Sequence, residues 1–260
     1  MVMNLYLLAI VQSIALPFGL SGLLLYSGLR KDVQRVIGNV LIWLAAYAWI
    51  IHWPNLPPTE AVDWLWLLPV TSVVAGYIAC DRTRYFARTT ALLVITIAIA
   101  WPILHYQPSF ALVSELMVII VAGAVLFGRT EHKPTVAPAL AFTIQATGLA
   151  IASALSGSLL LGQLSAALAA LTGAYAVHEL AGRLHKTRFS SRQQLALLPL
   201  YLGLLAIARL YAELTLPATA LLLSAPVLYA LFPWRYGWVT CLLLNAGAIA
   251  VESSNYSATA

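Results

Sequence analysis

Ten apolar runs, each near the length of a single membrane crossing, take up most of this chain: 5–27, 36–53, 64–80, 89–106, 110–128, 137–155, 158–180, 194–214, 217–233 and 236–252. A helix needs roughly 17–25 apolar residues to cross the hydrocarbon core. Charged or proline-rich breaks separate nearly all of the runs. The sixth and seventh meet without a charge, at Ser156, Gly157 and Ser158 in "ALSGSLLLGQ". Because 137–180 is too long for one crossing, this stretch reads as a tight helical hairpin.

Only 9% of the 260 residues are charged and 62% are hydrophobic. A soluble domain carries about 25% charged residues, because it must coat itself with a hydrated surface. Lipid is therefore the solvent for most of this chain. The expected fold is an all-α polytopic integral membrane protein of about ten helices. Residues 1–260 read as one transmembrane domain with no separate soluble domain.

The basic residues orient it. Thirteen of the fourteen Lys and Arg residues fall in "GLRKDVQR", "DRTRYFAR", "RTEHKPT", "AGRLHKTRFSSRQQ" and "PWRYG". These are alternate connections, so all thirteen lie on one side, which the positive-inside rule makes cytoplasmic. Both termini are then expected outside, on the periplasmic face of a bacterial inner membrane. The first run lacks a positive n-region, and its charge follows the apolar stretch, so it reads as a retained helix. Trp49, Trp53, Trp64, Trp66 and Trp101 fall at the expected outer interface, with Trp234 and Trp238 at the inner one. Indole favours that depth, being an apolar body with one polar N–H. The net charge of +5 is spread over these connections, which excludes a nucleic-acid-binding face. Cys80 and Cys241 fall near expected cytoplasmic ends, so no disulfide is expected.

Ten spans divide into five plus five, and an odd half-length inverts one half against the other. "LSGLLLYSG" (20–28) and "LSGSLLLGQ" (155–163) echo each other at the ends of the first and sixth runs. Inverted repeats occur in many secondary transporters. The drug/metabolite transporter superfamily has ten helices in such an arrangement, but its members normally keep both termini in the cytoplasm. The charge pattern here puts both outside, so the chain is not assigned to it.

The exceptional cation is Arg209, within "AIARLYAEL" (206–214). An ionised group at the bilayer centre costs about 2.5–3.5 kcal/mol on insertion scales, and less toward the interface. Arg209 is expected to face Glu213, one helical turn on, or Glu115 of "FALVSELMV", or both, in an outward-opening polar pocket. The competing expectation is snorkelling to the headgroups. His52 and His105 end the second and fourth runs on the same side. Arg209, Glu213, Glu115, His52 and His105 are thus the candidate substrate-binding or buried-charge residues.

No catalytic or metal set emerges. "HEL…H" places His178 and His185 seven apart, whereas a zincin needs a separation of four. "FGLSG" contains the Gly-x-Ser-Gly of rhomboid proteases without a suitably placed histidine. His52 and His105 offer one rim pair, poorly suited to haem. No cofactor is expected. Gln12, Asn39, Thr143, Gln145, Gln163 and Asn245 are expected to bond between helices, and the small residues of the sixth and seventh runs to let them pack closely.

Three function classes are weighed: a transporter or flippase of a small or lipid-like substrate, a non-catalytic integral subunit of a larger membrane complex, and an intramembrane enzyme, for which no nucleophile, metal or acid–base set is found. The partners expected are the bilayer and, in the second case, other membrane subunits. The orientation has a direct test. A cysteine at Pro58 should react with an impermeant maleimide from outside and one at Thr187 from inside; reversed labelling would end the N-out assignment.

Overall fold

The computed structural model describes residues 7–27, 32–51, 60–70, 73, 84–106, 109–132, 137–181, 189–231 and 237–259. Among them the chain is all-α, with no strand. The helices are α1 (Leu7–Tyr26), α2 (Asp32–Ile51), α3 (Arg84–Tyr106), α4 (Phe110–His132) and α5 (Pro138–Leu155). They continue as α6 (Leu159–Leu180), α7 (Ser191–Tyr211), α8 (Leu216–Leu231) and α9 (Gly237–Thr259), with a 3-10 turn at Ala61–Trp64. The expected third run begins in that turn, and most of its remainder lies outside the described residues. Among the described residues six helices (α1, α2, α4, α5, α6 and α7) are long and apolar enough to cross a membrane. The chain is a multi-spanning helical membrane protein.

Local chemistry explains the boundaries. Asp32 starts α2, where its carboxylate meets the positive end of the helix dipole. The charge-free hairpin turns at Gly157, whose φ of +95° suits a residue without Cβ. Ser158 then caps α6 by accepting from Leu161 N. α9 continues past the apolar run through Ser253, Ser254 and Ser257, each donating its hydroxyl to a carbonyl three residues upstream. In α1 a π-turn spans Val11–Ala15 just before Pro17. Proline cannot donate to the carbonyl four residues earlier, and the wider turn accommodates that missing bond.

Cross-helix contacts define two ends. Tyr26 meets His178, Glu179 accepts from Ala139 N, and Gln193 donates to Tyr175. These join the C-termini of α1 and α6 to the N-termini of α5 and α7 at the end bearing the basic segments, here the basic end. α7 lies deepest, buried continuously from Leu195 to Ala208. α5 and α6 pack most closely, with Gly162 against Ala150 and Ala154, as their small residues lead one to expect. α5 also runs along α9, where Gly148 lies directly against Asn245 and leaves no room for a Cβ.

The two halves match incompletely. α1 packs on α2 as α5 does on α6, and α3 packs on α4 as α8 does on α9. Yet α5 runs along α9, whereas among the described residues α1 has no comparable contact with α4.

Pro226, inside α8, removes the N–H that would have bonded Leu222 O. The buried Tyr201 hydroxyl of α7 donates to that carbonyl at 2.9 Å. Tyr201→Phe should therefore cost about 1–3 kcal/mol, the penalty for a buried acceptor left bare. In a Pro226→Ala background the carbonyl regains a helical donor, and the cost should shrink toward zero. Thermal unfolding in detergent measures both, and equal losses in the two backgrounds would exclude this role.

Candidate functional site

Arg209 occupies the first position of α7 beyond its buried stretch. Its Nε donates to Glu115 Oε2 at 2.8 Å and its Nη2 to Glu115 Oε1 at 3.0 Å. Two parallel bonds from one guanidinium to one carboxylate form the geometrically most specific kind of ion pair. The side chains are 26% and 24% exposed, so the pair is partly desolvated and joins α7 to α4. The third nitrogen, Nη1, donates to Leu214 O at 3.1 Å. All three guanidinium nitrogens thus have acceptors, and the charge is matched one for one.

Glu213 is not the partner. α7 ends at Tyr211, and Glu213 takes a left-handed conformation with φ of 55°, pointing its exposed side chain away from helical register. The one-turn spacing needed for an i,i+4 pair is lost with the helix. His105 is exposed and stacks on Trp101 with ring centroids 6.1 Å apart. His52 lies outside the described residues. Of the five candidates, the structure brings Arg209 and Glu115 together.

The short connection after α7 is held from both sides. Leu214 N donates to Ala208 O, and Leu214 O accepts from Arg209. Thr215 donates through Oγ1 at 2.7 Å and through N at 3.4 Å to Glu252 Oε2, a buried carboxylate on α9. Tyr211 donates to Ile99 O of α3 at 2.8 Å. Residues 209–215 therefore tie α3, α4 and α9 together at the end opposite the basic segments.

At the basic end a second polar set is built around Tyr175. Ser190 and Gln193 form a capping box that opens α7. With its backbone so fixed, Gln193 Nε2 donates to Tyr175 Oη at 3.1 Å, and Tyr175 donates to Asn39 Oδ1 at 2.9 Å. This chain links α7, α6 and α2, and its three side chains are buried. Nearby, His178 Nδ1 donates to Ala174 O at 2.8 Å, since a carbonyl can only accept, and Nε2 lies 2.8 Å from the Tyr26 hydroxyl. Glu179 Oε2 accepts from Ala139 N at 3.2 Å and Leu140 N at 3.4 Å, capping α5.

The charge pattern singles out neither Tyr175 nor Gln193. The Ser-x-x-Gln spacing at 190–193 is the signal that marks Gln193, since it announces a helix start. Asn39, Thr143 and Gln145 do bond between helices, Thr143 to Thr172 and Gln145 to Cys241. No group of three metal-ligating side chains occurs among the described residues. No family profile, curated protein sequence or solved structure matches this chain.

The ion pair yields a quantitative test. Arg209→Leu or Glu115→Leu alone leaves a partly buried charge without its partner, so each single change should cost more than the double change. The cycle, read from thermal unfolding, should return a coupling of about 0.5–3 kcal/mol. Additive losses would remove the pair from any stabilising role.

Proposed function

We propose that this protein is a transporter or flippase of a small or lipid-like substrate. In this reading ten helices span a bacterial inner membrane, both termini lie on the outer side, and the basic end faces the cytoplasm. The observation that carries it is the construction of α7. Its middle is sealed in apolar side chains from Leu195 to Ala208. Each end is held by polar side-chain contacts instead: Gln193 to Tyr175 at one, Arg209 to Glu115 at the other.

Alternating access requires closures at both ends of a path that can open in turn. Hydrogen bonds and ion pairs suit that task, because water entering an open end replaces their lost partners. A purely apolar seam exposes hydrocarbon when it parts. The Arg209–Glu115 pair closes the outer end in this reading, and the Gln193–Tyr175–Asn39 chain closes the inner end. Pro199 lies between them, within α7.

Proteoliposomes provide the test. The purified protein should move a labelled phospholipid between leaflets or exchange a labelled solute across the membrane. Arg209→Leu/Glu115→Leu should change that rate severalfold in protein that still unfolds cooperatively. Absence of movement, with a second membrane protein co-purifying at constant stoichiometry, would overturn the proposal in favour of a complex subunit.

A further inference from the structure

Asn39 and Trp43 stand one turn apart on α2 and are 1% and 0% exposed. Asn39 Nδ2 and Trp43 Nε1 have no hydrogen-bond partner among the described residues. Leaving a donor bare in a dry interior costs about 1–3 kcal/mol. Two such donors on one helix face ask for a common explanation.

Their face is defined. Asn39 Oδ1 accepts from Tyr175 of α6, so the Asn39 side of α2 turns toward the junction of α2, α6 and α7. Trp43, four residues on, shares that side. Arg35, four residues earlier, also shares it and is 8% exposed, with an interaction of its own. The three side chains span about 12 Å along the helix at 1.5 Å per residue. Ser21 of α1 is 0% exposed, and its Oγ likewise lacks a partner among the described residues. Leu24 packs on Gly38, so Ser21, one turn earlier on antiparallel α1, lies within about one turn of Asn39 and Trp43 in height.

The chemistry of this set is one-sided. Guanidinium and indole only donate, and the amide oxygen of Asn39 is already occupied by Tyr175. Asp32 lies on the first turn of α2, and Glu179 of α6 accepts from the backbone of α5. We infer that the Arg35–Asn39–Trp43 face of α2 binds the anionic oxygens of a small carboxylate- or phosphate-bearing group that enters from the basic end. Arg35 supplies charge at the mouth; Asn39 Nδ2 and Trp43 Nε1 supply directed donors at depth. This deepens the transporter reading by naming its substrate class and rests on that reading only in treating the ligand as cargo.

A soluble anion and an anionic lipid headgroup share this chemistry, and the experiment separates them. The full chain is titrated in detergent with succinate and with inorganic phosphate at matched ionic strength, following Tm. A parallel arm compares nanodiscs of phosphatidylglycerol with nanodiscs of phosphatidylcholine. A saturable rise in Tm with a soluble anion identifies a soluble ligand; a rise with phosphatidylglycerol alone identifies the lipid headgroup. Trp43→Phe keeps the ring and removes the donor, so it should weaken either response by about tenfold in apparent affinity. Asn39→Leu and Arg35→Gln should weaken it comparably, and the Tm without ligand reports whether each variant folds. Absence of any anion response, or an unchanged affinity in Trp43→Phe, would overturn the inference. Binding without transport would keep this site and remove the transporter reading; transport indifferent to positions 39 and 43 would do the reverse.

Discussion

Lipid offers no hydrogen bonds, and that constraint governs the whole molecule. Every backbone group released by a helix end or a proline must find a partner within the chain. Pro226 releases Leu222 O, and Tyr201 from α7 meets it. The start of α5 leaves Ala139 N and Leu140 N without helical acceptors, and Glu179 from α6 meets them. The start of α8 leaves Thr215 N, and Glu252 from α9 meets it. In each case the partner comes from a neighbouring helix, so satisfying the backbone also fixes which helices lie side by side.

The two carboxylate caps occur at opposite ends of the bundle. In both, an antiparallel hairpin places an acid near the end of its second helix beside the start of its first. A carboxylate there accepts from free N–H groups and also faces the positive end of a helix dipole. The same physical device recurs upside down in α5–α6 and α8–α9. The packing of the first and last helices of each half does not recur. Both hairpins lie in the second five helices, so this recurrence is separate from any correspondence between the two halves.

α7 concentrates the consequences. It is surrounded on all sides, so a side chain along its middle has to be apolar, and from Leu195 to Ala208 its polar groups are limited to the Tyr201 hydroxyl. Polar chemistry is displaced to its two ends. Gln193 is placed by a helix cap and Arg209 by a forked ion pair. The Arg209 guanidinium is stable at its depth because a carboxylate and a backbone carbonyl accept from all three of its nitrogens. This arrangement makes α7 the core of the fold and confines its side-chain ion pairs and amide contacts to its two ends.

Composition and run length alone determined the helical membrane class, the position of nine helices and the hairpin break at Gly157. These follow from hydrocarbon thickness and turn stereochemistry, which act locally along the chain. The Arg209–Glu115 pair was legible as one of several options, beside a Glu213 partner, both acids together, or snorkelling to the headgroups. Choosing between them required the tertiary structure. α7 stops at Tyr211, three residues before the apolar run ends, and this takes Glu213 out of register while α4 brings Glu115 across. The Gln193–Tyr175–Asn39 chain and the bare donors of Asn39 and Trp43 were decided only by packing. Their residues are 18 and 136 positions apart in their respective bonds, and nothing in an apolar run reveals which of its faces will meet a distant helix.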